Sequence, residues 1–178
     1  MSKQTLTPVE GVPTQIGFYL AGMEEVRGQL RDAVTEITSD QLHAKLRPDT
    51  HSIAQLILHC GEAEWWWIQC VVGGREIDEE LKSTSFWDVL EEGNEPSSAM
   101  SATTVVREID RISSLTRELL SGFQDEDLDK YFVRELPNRR IEKSLRWILH
   151  HLMDHEAQHK GQILMLKRLL SGEKRNRE

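Results

Sequence analysis

The sequence predicts an all-α fold, a four-helix bundle with a long crossover between its second and third helices. Two observations predict it. Four segments repeat apolar residues three and four positions apart, the spacing of one helix face. The connection between the second and third segments, residues 73–100, is long enough to carry the chain the length of a bundle. A chain of 178 residues suffices for one domain with a sizeable core, taken here as residues 1–178.

The first helix is expected over residues 14–37. Ile16, Leu20, Met23, Leu30, Val34 and Ile37 share a face, and Thr14 follows Pro13 as N-cap. The second is expected over 52–72, capped by Ser52, with Ile53, Leu56, Cys60, Trp67 and Val71 on one face. The 73–100 connection opens on Gly73-Gly74 and holds Phe86, Trp87, Val89 and Leu90. It reads as a loop with one short helix. The third helix is expected over 101–121, with Val105, Ile109, Ile112 and Leu119 in a stripe and Gly122 as its stop. Tyr131, Phe132 and Val133, a Pro-Asn turn and then Ile141 suit a small hairpin. The fourth helix is expected over 143–170.

Composition removes several function classes. A formal charge of -8 argues against a duplex nucleic-acid binder, which needs a basic surface. The one basic cluster, the C-terminal "KRLLSGEKRNRE", is given no binding role. No apolar run approaches the roughly 20 residues that cross a bilayer, and the N-terminus lacks the apolar core of a signal peptide. The cytoplasm is the expected location. Cys60 and Cys70 stand about 15 Å apart along one helix. They cannot bridge while it is intact and read as reduced, buried thiols.

The chemistry lies in "ILHHLMDHEAQHKGQIL", residues 148–164. With each residue advancing about 100°, Leu145, Ile148, Ile163, Leu166 and Leu170 fall within roughly 40° of Leu152. His159 lies about 20° from it, His155 about 60° and His151 about 100°, while His150 points the opposite way. Two imidazoles one turn apart in a dry core would be costly unpaired. At i and i+4 they can converge on one cation. A third ligand should come from a facing helix. His59 stands midway along helix two, at the edge of its apolar face beside Ala63 and Trp66. His43 and His51 lie in or near a connection and are weaker candidates. Three neutral imidazoles with an open position suit Zn, Ni or Fe(II). A buried polar network among His59, His155, Glu156 and Gln162 is the alternative.

Residues 155–159, "HEAQH", also match the metalloprotease pattern H-E-x-x-H. A protease needs a further downstream ligand, and only Glu173 and Glu178 offer one, at or beyond the helix end. No sheet edge is evident to hold an extended peptide. Glu156 is either a catalytic base acting on a water or a helix-surface or outer carboxylate. Trp67 is expected in the core. Trp65 and Trp66 line a pocket, form a dimer interface, or pack on the 73–100 connection.

"SIAQLILHCGEAEWW" on helix two and "HHLMDHEAQHKGQI" on the last helix together resemble the DinB-like superfamily. The resemblance covers most of the chain in layout. It implies up-down-down-up topology and a divalent metal held by His59, His155 and His159. It implies a metal-dependent enzyme acting on a small molecule, either a transferase or isomerase using a low-molecular-weight thiol, or a hydrolase. It also implies a homodimer, for which Trp65, Trp66, Phe86 and Trp87 offer aromatic surface. A non-catalytic stress-response or protein-interaction module with the same bundle is the competing reading. A shared bundle and metal do not fix a substrate.

Overall fold

The computed structural model describes residues 5–90 and 94–172. Part of the predicted loop (residues 91–93) lies outside them, as do Glu173, Glu178 and the rest of the C-terminal tail. The described chain is mostly helical, with one two-stranded sheet. Helix α1 spans Thr14–Val34, α2 Ser39–His43, α3 Ile53–Trp65, α4 Glu79–Lys82, α5 Ala102–Leu120 and α6 Leu145–Leu170. Strands β1 (Tyr131–Leu136) and β2 (Arg139–Ser144) pair antiparallel, with Leu136 opposite Arg139 across the Pro137-Asn138 turn. The four long helices form the bundle. α1 packs on α6 and α5, and α3 packs on α5 and α6.

Several boundaries differ from the sequence reading for local reasons. Thr14 does not cap α1, whose N-cap residue is Pro13 with no side-chain bond. The free amides of Gln15 and Ile16 instead donate to Asp125 Oδ1, at 2.9 and 3.1 Å. A distant carboxylate thus satisfies donors that a helix start cannot satisfy itself. Ser52 does cap α3, in a box with Gln55. The Gln55 side-chain amide also donates to Val89 O at 2.8 Å, which ties the 73–100 connection to the start of α3. α6 begins at Leu145 rather than 143 because residues 139–144 are claimed by β2, and Ser144 caps it. The one short helix expected in the connection is α4, ahead of Phe86.

The largest departure comes after Trp65. Residues Trp66–Val72 continue α3 as a π-helix. Gly73 N–H donates to Ile68 O, five residues back, at 2.8 Å. A π turn holds an extra residue and changes which side chains face the core. Trp67 is therefore not a core residue and is only half-buried. Trp65 is buried beneath the 73–100 connection. Phe86 packs on it at 5.7 Å between ring centroids, and the Arg75 guanidinium lies 4.9 Å above the indole. Burial of Trp65 and Phe86 removes two of the four side chains on which the dimer expectation rested.

The interior divides into two apolar clusters. One holds Leu30, Val34, Ile57, Ile109, Ile163 and Leu166. The other holds Ile16, Leu20, Met23, Ile68, Leu145 and Leu152. Along both α1 and α6 a buried charge falls between the clusters: Arg27 on the first and Glu156 on the second. The histidine site lies at this level of the bundle.

Candidate metal centre

α3 and α6 face each other across the bundle, and each brings imidazoles to their contact. One ligand atom from each of His59, His155 and His159 falls within 4.8 Å of the others. The ring centroids of His59 lie 5.0 Å from His155 and 5.2 Å from His159. His155 and His159 approach at 4.4 Å between centroids, with their Nε2 atoms 3.1 Å apart. All three residues are half-buried, so His159 sits at the rim of the stripe rather than within it.

The hydrogen bonds around the trio set its tautomers. His59 Nδ1 lies 3.1 Å from Glu62 Oε2, and His159 Nδ1 lies 2.7 Å from Gln162 Oε1. A carboxylate and an amide oxygen can only accept, so each Nδ1 donates its proton and leaves Nε2 as a lone pair. A tetrahedral ion bound at 2.0–2.1 Å separates its ligand nitrogens by about 3.3 Å, close to the Nε2 separation of His155 and His159. The donor set therefore fits a divalent ion. A carboxylate or amide that fixes a ligating imidazole is the usual outer partner of such sites.

Electrostatics agree. Burial, and then the neighbouring imidazoles of His159, His59 and His151, holds His155 down to about 3. Burial also lowers His159, against the opposing hydrogen bond to Gln162. Both rings are thus neutral near pH 7, the form that ligates.

The remaining candidates are placed elsewhere. His43 Nε2 lies 2.8 Å from Met100 O and is used to hold the connection. His51 and His150 are exposed. His151 lies one turn from His155, at 5.9 Å between centroids, and stacks on Trp147 at 4.7 Å and 13°. Glu156 is not on the surface, and its carboxylate is already engaged. Its residue is only 3% exposed, and Oε1 and Oε2 accept from Arg27 Nε and Nη2 at 3.0 and 2.7 Å. The same Nη2 donates to Glu64 Oε2 at 2.8 Å, and Nη1 donates to Ile109 O at 3.2 Å. Glu156 is thus a member of a buried ion cluster that joins α1, α3 and α6. Neither Arg27 nor Glu64 figures in the sequence reading. Both fill gaps in the apolar periodicity of their helices, the one signal that points to them.

A cavity of about 480 Å³ opens beside the trio. His59, His155 and His151 lie on its wall with Glu62, Trp66 and Trp67, and Trp87 and Asp88 of the connection close it. Trp66 and Trp67, the first two residues of the π-helix, lie on that wall. Asp88 adopts a left-handed backbone at φ 48°, and its N–H donates to Glu62 Oε1 at 2.8 Å. Glu62 therefore joins the connection to His59 through its two oxygens. Glu62 is absent from the sequence reading, although its place three residues after His59 puts it on the same helix face.

Similarity to solved structures supports this geometry at the level of fold. A DinB-like protein from Bacillus cereus ATCC 10987 matches with a TM-score of 0.62 at 16% identity, over 94% of this chain and 95% of that one. YfiT from Bacillus subtilis, described as "a probable metal-dependent hydrolase with an unusual four-helix bundle topology", matches with a TM-score of 0.63 at 16% identity, over 96% of this chain and 94% of that one. No curated protein matches the chain. Residues 23–163 match the family model of the DinB superfamily, and the chain belongs to that superfamily.

Proposed function

We propose that this DinB-superfamily chain is a metal-dependent hydrolase acting on a small molecule, with His59, His155 and His159 as the metal ligands. The observation that carries the reading is the convergence of three imidazoles within 4.8 Å, two of which, His59 and His155, lie on the wall of a cavity. The description of YfiT supports hydrolysis as the reaction class. A divalent ion held there supplies Lewis acidity toward water or a substrate carbonyl. Zn, Ni and Fe(II) all suit an imidazole set with an open position.

The chain's own residues do the rest. Glu62 and Gln162 hold the protons of His59 and His159 on Nδ1 and so keep Nε2 available. Trp66, Trp67 and Trp87 wall the cavity. Asp88 and His151 are the further polar side chains on that wall. No role as base is assigned to Glu156, because Arg27 engages both of its oxygens. The open cavity also weighs against the non-catalytic module, which has no use for one. A thiol-dependent transferase would use the same site, and only turnover separates it from a hydrolase.

The reading takes the helices as up-down-down-up, with the 73–100 connection as crossover. It takes the protein as cytoplasmic, in keeping with two free buried cysteines. No helix among the described residues is long and apolar enough to cross a membrane. It also takes a homodimer, for which the exposed Leu164, Met165 and Leu169 of α6 now offer better surface than the tryptophans. Light scattering tests that point, and a monomer mass at every concentration removes it.

The deciding experiment is metal analysis of untagged protein, followed by assay of the loaded protein against ester, amide and thiol-plus-electrophile panels. One equivalent of a divalent transition metal and hydrolysis of one panel member are expected. Less than a tenth of an equivalent after reconstitution overturns the metal centre. Turnover restricted to the thiol panel replaces the hydrolase with a transferase.

A further inference from the structure

The histidine pair belongs to a longer row. Trp147, His151, His155 and His159 stand one turn apart along α6, and Lys143 at the end of β2 continues the spacing. Each member touches the next. His155 and His159 lie 4.4 Å apart, His151 and His155 5.9 Å, and Trp147 and His151 4.7 Å between centroids, while Lys143 Nζ sits 4.5 Å above the Trp147 ring. Trp67 flanks the row, 5.4 Å from Trp147 and 5.5 Å from His151. From His155 to Trp147 is about 12 Å along the helix axis.

A second cavity of about 470 Å³ lies over the far end of this row. It shares Trp66, Trp67 and His151 with the cavity beside the histidine trio, so the two adjoin. Its other walls are Trp147 and the hairpin residues 139–143. Those five residues hold Arg139, Arg140 and Lys143 against one acid, Glu142, in a chain whose formal charge is -8. Arg140 is divided between Glu135 and Glu142, at 3.4 and 3.3 Å. Among the described residues, no carboxylate lies within ion-pair distance of Arg139 or Lys143. Cations on a hairpin are ordinarily no more than solvated surface. Lys143 differs in standing over Trp147, the end of an aromatic row that runs on to the candidate metal ligands, and Arg139 lines the same cavity.

We propose that this second cavity is a substrate subsite for an anionic group. Arg139 and Lys143 would hold a carboxylate or phosphate, and Trp147, Trp67 and His151 would stack against a flat or apolar stretch that leads to the reacting end. The substrate class is then an elongated small molecule whose anionic end lies on the order of 10 Å from the bond that reacts, the scale set by the helical rise between the two sites. The subsite deepens the proposed hydrolase and rests on it for the identity of the reacting end. The anion contacts themselves need no metal.

Tryptophan fluorescence titration tests it, because Trp66, Trp67 and Trp147 line the subsite. The probes are 4-phenylbutanoate, phenyl phosphate and 4-phenylbutanamide, on metal-loaded and metal-depleted protein at low salt. Both anions are expected to bind about tenfold more tightly than the neutral amide, the scale of a partly exposed charge-assisted contact. The Arg139→Gln, Lys143→Gln double variant is expected to abolish that preference while its metal content is unchanged. Equal binding of anions and amide by the wild type overturns the subsite, as does a preference that survives in the double variant. Loss of the metal reading shows separately, as absent metal with the anion preference intact.

Discussion

Replacing Arg27 with Met tests the buried ion cluster, and with it the assignment of Glu156. The Arg27 guanidinium is 2% exposed, and the carboxyls it faces on Glu64 and Glu156 are 1% and 3% exposed. It makes three short contacts to them and a fourth to Ile109 O. Methionine fills much of the volume but leaves two carboxyls facing each other with no cation between them. Breaking a buried pair in this way costs about 3–5 kcal/mol. A domain of this size loses about 2–4 °C of Tm per kcal/mol, so a fall of roughly 6–20 °C is expected. The pH dependence carries a second signature. Burial, outweighing the attraction of Arg27, already holds the Glu156 carboxyl above its usual range. Without Arg27 the folded-state value of Glu156 rises further above the unfolded value of about 4.3. Between those values the folded state binds more protons than the unfolded one, so stability rises as pH falls. Urea denaturation should therefore find a larger deficit at pH 8 than at pH 5.5. Adding Glu156→Gln to Arg27→Met should recover part of the loss, since it removes one uncompensated charge. A loss under about 1 kcal/mol refutes the reasoning, as does a deficit that does not change with pH.

The same geometry sets four further outcomes. His59→Ala, His155→Ala and His159→Ala should each abolish stoichiometric metal by elemental analysis, whereas His150→Ala and Glu156→Gln should keep a full equivalent; retention by any of the first three removes that ligand. Glu62→Ala should weaken metal binding by about 10–100-fold in competition with a chelator, and an unchanged affinity would show that His59 needs no partner. Metal-depleted protein should lose stability as pH falls from about 6.5, the unperturbed histidine value, toward the value near 3 of His155. Over that window the unfolded chain binds more protons; equal urea midpoints at pH 7.5 and 5.0 would contradict this. Cys60 and Cys70 are buried, and burial raises both thiols, so native protein should react with a thiol reagent only on the timescale of unfolding. A fast first equivalent would contradict that.

Much of the bundle is written in periodicity alone. Ile16, Leu20, Met23, Leu30 and Val34 mark α1, and Val105, Ile109 and Ile112 mark α5, because burial on one face needs no information beyond spacing. Caps are legible where a residue serves its own helix, as Ser52 does. They are illegible where the partner is remote, as Asp125 is for α1, because sequence spacing says nothing of a contact 109 residues away. The buried ion cluster is half-visible. Arg27 lies about 20° from Leu20 on the α1 wheel, and Glu156 about 40° from Leu152 on that of α6. Both occupy positions that the stripe should have filled with an apolar side chain. A lone charge in a stripe says that a partner exists across the bundle without saying which, and the partner of each is on another helix.

The histidines are legible for a reason that the tryptophans are not. His155 and His159 belong to an unbroken α-helix, where a constant 100° step holds, and His59 precedes the π segment on α3. The same step carried past Trp65 assigns Trp67 to the face of Cys60, and there the assumption fails. The π turn between Trp66 and Val72 inserts one residue per turn and rotates the side chains beyond it. A π-helix forgoes regular hydrogen-bond geometry and tends to mark functional positions. Here Arg134 of β1 braces it by donating to Cys70 O and Arg75 O, each at 3.0 Å. Trp67, displaced from the face of Cys60, lines the wall shared by both cavities, beside Trp66, which regular spacing already sets next to His59. The ligands and Trp66 thus come from helical spacing, whereas the place of Trp67 comes from a break in it. The part of a substrate preference that rests on Trp67 is therefore invisible to any reading that assumes a regular helix.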